Sequence, residues 1–238
     1  MSDFGTASTL VVFDCDGVLV DSEALTVEVE AELLSQAGFA ITAQEITERY
    51  VGLSYTSMMA DLGERFGRPV PDSLSRSVQQ AVLDHFPEHL QPIGGIGDLL
   101  GALAEADIDR CVASSSDLDR IWLSLTVTEL APHFAADTVF SAQMVDRGKP
   151  APDLFLLAAS KIGFEPDQCV VIEDSPGGVQ AAVAAGMDVV GFVAGGHATP
   201  ALPDRLRRAG AATVVNTTDE LRAYLARRLP VLSQSADE

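Results

Sequence analysis

The stretch Leu10-Val11-Val12-Phe13-Asp14-Cys15-Asp16-Gly17 limits what this chain can fold into more than any other. Four consecutive apolar residues read as a strand covered on both faces, the pattern of a parallel sheet. The run stops at Asp14 and Asp16, which share one side of an extended segment. Two like charges set together at the end of a buried strand are costly. A bound cation offsets that cost, and chemistry that needs one ionised and one protonatable carboxylate explains it. Asp is also common in turns, so a plain strand-ending turn is the alternative for this stretch taken alone. Gly17 suits the turn that follows.

Behind this strand the texture is helical. Asp21 or Ser22 can cap a helix that runs to about Ala37 and is stopped by Gly38. Further helices are predicted over about 42–50, 54–66 and 71–89, punctuated by Gly52, Gly67, Pro69 and Pro71. Residues 22–90 therefore read as an inserted helical domain, with 1–21 and 91–238 forming the rest. From Pro92 onward short apolar runs alternate with helical patterns. Strands are expected at 109–113, 138–141, 169–172, 189–193 and 212–215. This alternation predicts an α/β fold, a doubly wound parallel sheet with helices on both faces.

Composition narrows the class. With 47% hydrophobic residues in 238, a sizeable core can be buried. The net charge of −20 disfavours nucleic acid and anionic membranes, and we expect neither as a partner. The same field repels an anionic substrate unless the site carries local positive charge. Cys15, Cys111 and Cys169 each lie in or beside an apolar run, spaced neither for a metal nor for a disulfide ladder. That pattern suits a reducing cytosol, and a cytoplasmic location is expected. Met1-Ser2-Asp3 lacks the form of a signal peptide, and no apolar run approaches membrane-spanning length.

In a doubly wound sheet, ligands bind beyond the carboxyl ends of the strands. The expected strand ends offer Asp14 and Asp16, Ser114, the loop holding Lys149, and Glu173 with Asp174. Oxygen ligands without a neighbouring His or Cys suit a hard cation such as Mg²⁺. Ser114 reads as the start of a helix, where a hydroxyl and free N–H groups favour a phosphate oxygen. Lys149 adds a compact positive charge.

The chain resembles haloacid dehalogenase-superfamily phosphatases with a helical cap after the first motif, the group that includes β-phosphoglucomutase and the sugar-phosphate phosphatases. The motifs are Asp14-Cys15-Asp16-Gly17-Val18, Val112-Ala113-Ser114, Gly148-Lys149-Pro150-Ala151-Pro152-Asp153 and Glu173-Asp174-Ser175, in the family's order. The resemblance implies Asp14 as nucleophile and Asp16 as general acid and base. It implies Ser114 and Lys149 as phosphate ligands, and Mg²⁺ held by Asp14, Asp174 and the Asp16 carbonyl, with Glu173 a ligand or the partner of one. Protonating a leaving oxygen calls for an Asp16 pKa raised in a closed site.

Within that resemblance the expected activity is phosphomonoester hydrolysis of a small phosphorylated metabolite, a sugar or sugar-acid phosphate. A mutase of the β-phosphoglucomutase type is the alternative. That group carries a cap histidine where this chain has Thr26, and a cap arginine where it has Tyr55. A Schiff-base lysine in the cap is excluded because residues 22–90 contain no lysine. Arg49 and Tyr55 are candidates for cap specificity. A non-catalytic acidic interaction module is a third reading, disfavoured because no motif position is substituted. A monomer or weak homodimer is expected.

Overall fold

The computed structural model describes residues 9–50 and 55–233. Met1-Ser2-Asp3 and Gly52 lie outside the described residues. The strands are β1 (Leu10–Phe13), β2 (Arg110–Ser114), β3 (Val139–Ser141), β4 (Cys169–Glu173), β5 (Asp188–Phe192) and β6 (Thr213–Val215). They form one parallel sheet in the order β3-β2-β1-β4-β5-β6. The order reverses direction at β1, so the crevice between β1 and β4 is the topological switch point.

Side chains alternate across the sheet and build a core on each face. Val11, Phe13, Val112, Val170 and Ile172 pack with α5 (Ile96–Glu105), α6 (Leu118–Val127) and α10 (Thr218–Arg228). Leu10, Val12, Cys111, Ala113 and Val171 pack with α7 (Asp153–Ile162), α8 (Pro176–Ala184) and α9 (Leu202–Ala209). β1 is fully buried along its length, which explains its unbroken apolar run. The three cysteines are buried and unpaired.

The register fixes the site. Phe13 lies opposite Ile172 on one side and Val112 on the other, and the Asp14 N–H donates to the Ile172 carbonyl at 3.0 Å. Asp14 therefore leaves β1 level with Glu173 at the end of β4. Ser175 follows and caps α8, its hydroxyl accepting from the Gly178 N–H at 3.0 Å.

Two local expectations change. Ser114 is the last residue of β2 rather than the start of a helix, and α6 begins four residues later behind Asp117. Three serines and an aspartate follow the apolar core of β2, and such residues satisfy backbone groups locally without starting a helix. Asp21 precedes α1 (Ser22–Gln36) but makes no side-chain cap; its carboxylate accepts from the Gly196 N–H at 2.9 Å.

Of the five helices described between β1 and β2, the first four are α1, α2 (Ala43–Tyr50), α3 (Tyr55–Arg65) and α4 (Asp72–His89). They share a separate apolar cluster that includes Val27, Leu34, Phe39, Ile46, Met58, Leu62 and Val78. Leu34 is fully buried there. Leu34→Ala should cost about 2–5 kcal/mol in the stability of this unit. Hydrogen exchange should show lost amide protection across α1–α4 with β1 and β4 unchanged. Equal loss across the sheet would show that the two parts open together.

Candidate active site

Lys149 is the hub. Its ammonium donates to Asp14 Oδ1 at 2.8 Å, to Glu173 Oε1 at 2.6 Å and to the Ala113 carbonyl at 2.9 Å. All three ammonium protons are thereby used, and the side chain is only 5% exposed. Burial alone pushes such an ammonium toward neutrality; Asp14 and Glu173 outweigh it and hold Lys149 charged, above its usual range. The other Glu173 oxygen accepts from the Ser175 N–H and hydroxyl at 3.0 and 2.9 Å. Glu173 is thus fixed at both ends. α8 can pass close over it because Gly178 has no Cβ; one built there would fall 1.8 Å from Glu173 Oε1.

Asp14, Glu173 and Asp174 each present an oxygen within 4.8 Å of the others, and together they could hold a metal ion. The Asp14 carboxyl is raised well above the usual range, by burial first and then by Glu173 and Asp174, with Lys149 opposing. Asp174 is also raised, again chiefly by burial, with His197 opposing. The pocket is short of positive charge, and an all-oxygen donor set of this kind fits a hard divalent cation.

Asp16 is not part of this cluster. Its side chain turns away and accepts from Ser22 Oγ at 2.5 Å, Ser116 Oγ at 2.6 Å and Arg120 Nη2 at 3.1 Å. Burial raises its pKa, but Arg120 and the two hydroxyls more than offset this and leave it below the usual range. The sequence reading expected a raised value, and the structure corrects it: Arg120, from the first turn of α6, supplies the cation. The two acids of the first motif thus occupy opposite environments, one pushed up and one down.

Ser114 is buried at the end of β2 and accepts from the Ser116 N–H at 3.1 Å. Among the described residues no acceptor takes its hydroxyl proton, which leaves that proton for a ligand. Tyr55 donates its hydroxyl to the Ser75 carbonyl at 3.2 Å. Arg49 lies exposed in the last turn of α2.

Sequence reasoning missed Ser22, Ser116, Arg120 and His197. His197 Nε2 lies 2.9 Å from Asp174 Oδ2, and its Nδ1 is buried without a partner. Nothing short-range in the sequence marks it, although the preceding Gly195-Gly196 pair lets the loop approach closely. A Cβ on Gly195 would fall 2.7 Å from His197 Nδ1.

Together the fold and this crevice define a class: an α/β protein with a metal-compatible carboxylate cluster at the switch point of a parallel sheet. Residues 11–192 match the haloacid dehalogenase-like hydrolase family, and the chain belongs to it. It is 29% identical to the 6-phosphogluconate phosphatase of Escherichia coli (strain K12), over 80% of this chain and 85% of that one. It is 29% identical to the fructose-1-phosphate phosphatase of the same organism, over 76% of this chain and 94% of that one. A crystal structure of a conserved haloacid dehalogenase-like protein of unknown function from Agrobacterium tumefaciens str. C58 superposes with a TM-score of 0.82 at 37% identity. That superposition covers 92% of this chain and 98% of the other.

Gly17 shows how tightly the cluster is enclosed. Its φ is +78°, and a Cβ there would lie 2.0 Å from Asp174 Oδ2. Gly17→Ala should weaken divalent-cation binding about 10–100-fold, the usual effect of disturbing a ligand's supporting contacts. Gly101→Ala, with nothing within 4 Å, should leave binding unchanged. Calorimetric titration with the cation checks both; equal affinities would mean that Asp174 is not a ligand.

Proposed function

We propose that the protein is a Mg²⁺-dependent phosphatase that hydrolyses the phosphomonoester of a small sugar or sugar-acid metabolite through an aspartyl-phosphate on Asp14. The observation that carries this reading is the pairing of two buried aspartates in opposed environments beside one buried lysine. Such divergence separates a nucleophile from an acid–base group.

Asp14, Asp174 and Glu173 would hold the cation. Bound there, Mg²⁺ neutralises phosphoryl charge and favours the ionised form of Asp14. The Lys149 ammonium, fixed against Asp14, supplies positive charge where phosphoryl oxygens arrive and holds the attacking carboxylate in place. The Ser114 hydroxyl donates its free proton to a phosphoryl oxygen. Asp14 attacks phosphorus, the ester oxygen leaves with a proton, and water later releases phosphate, which splits one difficult step into two.

Asp16 is the group that supplies and recovers the proton. At rest Arg120 and two hydroxyls hold it ionised and turned from Asp14. A leaving oxygen that draws Asp16 away from Arg120 removes the charge that depresses its pKa and lets it carry the proton. The helices α1–α4 form the cap that excludes bulk water during this exchange.

Hydrolysis is preferred to phosphosugar transfer because, among the described residues, the cap offers no buried, unpaired cation for a second phosphate. Arg65 pairs with Glu45 and Tyr50, Arg68 stacks over Phe39, and Arg49 and Arg76 are exposed. Thr26 and Tyr55 occupy the positions of the mutase histidine and arginine. With a hexose monophosphate, Mg²⁺ and a trace of hexose bisphosphate, free phosphate should appear. Interconversion of hexose 1- and 6-phosphate faster than phosphate release would favour the mutase instead.

Lys149→Ala should lower the hydrolytic rate on the order of 10²-fold or more, as loss of a preorganised charge does. Lys161→Ala, at an exposed position on α7, should leave the rate unchanged. Steady-state assay with Mg²⁺ reads both; comparable losses would show the phosphate site is misplaced.

A further inference from the structure

One face of α1 carries polar groups that the chemistry above does not use. Glu23, Thr26 and Glu30 follow one another at helical spacing and form a single stripe. Glu30 is only 6% exposed, a carboxylate turned into the protein from a helix face. Thr26 Oγ1 is buried without a partner, and so is Arg120 Nε on α6. Orphaned polar atoms in a buried setting are expensive and point to a ligand that satisfies them.

These groups lie close enough to act on one another. Glu23 feels Asp174 and Asp16 on the catalytic side, and Glu30 feels Glu23 and Arg120. The Tyr55 hydroxyl feels Glu30 in turn. The stripe therefore leads from the catalytic acids into the interior of the cap. Burial, followed by neighbouring carboxylates, lifts both Glu23 and Glu30 to about 7. Near neutrality each can accept or donate a hydrogen bond.

We infer that Glu23, Thr26 and Glu30, with the free Nε–H of Arg120, form the leaving-group subsite and select an uncharged polyhydroxyl group over an anionic one. The inference rests on the phosphatase reading and names its substrate class. One donor nitrogen, one hydroxyl and two carboxyls match a row of hydroxyls, each of which donates and accepts. A second negative charge meets the opposite. Arg120 is already committed to Asp16, and its guanidinium lies 5.0 Å above the Phe86 ring, which holds it in place. No uncommitted, buried cation faces the stripe among the described residues. A distal carboxylate or phosphate would be placed against Glu23 and Glu30 with nothing to offset it.

Sorbitol 6-phosphate and 6-phosphogluconate test this, because they share a chain and differ at the far end, an alcohol in one and a carboxylate in the other. Wild-type kcat/KM should favour the alcohol by about tenfold or more, the scale of one unscreened charge contact. Glu30→Gln and Glu23→Gln should each shift that ratio toward the acid. The ratio is taken on one preparation, so a partly unfolded sample does not alter it. p-Nitrophenyl phosphate, which has no polyol tail, reports separately on hydrolysis. If wild-type protein turns it over but prefers 6-phosphogluconate, or accepts neither sugar ester, the subsite is wrong and the phosphatase stands. Both substitutions leaving the ratio unmoved has the same meaning. Failure with p-nitrophenyl phosphate and both sugar esters overturns the phosphatase itself, and the subsite with it.

Discussion

The ammonium of Lys149 holds the site together. It joins the ends of three strands by touching Asp14 after β1, the Ala113 carbonyl of β2 and Glu173 of β4. Without it, three buried carboxylates would face one another across the switch point with a single histidine for compensation. Removing one partner of a buried charge cluster costs more than the pair contributes, because the remaining charges are left uncompensated. The surrounding packing follows from this need. β1 is apolar throughout so that it can run through the middle of the sheet, and Gly17 and Gly178 are small so that loop and helix can close over Asp174 and Glu173.

The same geometry divides labour between Asp14 and Asp16. They are two residues apart, and an extended chain would point both into one pocket. The chain instead turns at once: the Gly17 N–H donates to the Val20 carbonyl, and Asp16 swings to Ser22, Ser116 and Arg120. One carboxylate is held among acids and the other against a guanidinium. That contrast, rather than the mere presence of two acids, supports assigning attack to one and proton transfer to the other.

Most of the sheet was legible from local pattern. Short apolar runs closed by polar residues mark every strand within a residue or two, because a parallel strand buried on both faces tolerates little else. Asp14, Lys149, Glu173 and Asp174 were legible because each stands at a strand end or in the loop beyond it, and the topology does the gathering. Ser114 does stand at the end of its strand, but no helix starts there: a run of serines satisfies backbone groups in more than one way. Arg120 and His197 were not legible. Each is remote in sequence from the acid it meets, Arg120 by 104 residues, and nothing local distinguishes it from a surface arginine. Glu30 was hidden for a related reason. A glutamate on a helix reads as solvated, and only the packing of α1 against α4, with α4 against α6, turns it inward.

The central claim is that Asp14 becomes the covalent carrier of the phosphoryl group. Trapping tests it most directly. The protein is mixed with a radiolabelled phosphomonoester and Mg²⁺, quenched in acid during turnover and digested. The account predicts a hydroxylamine-labile phosphoryl group on the peptide that contains Asp14, absent from Asp14→Asn protein. Label on a different residue, or sustained turnover with no label retained at any quench time, would contradict it.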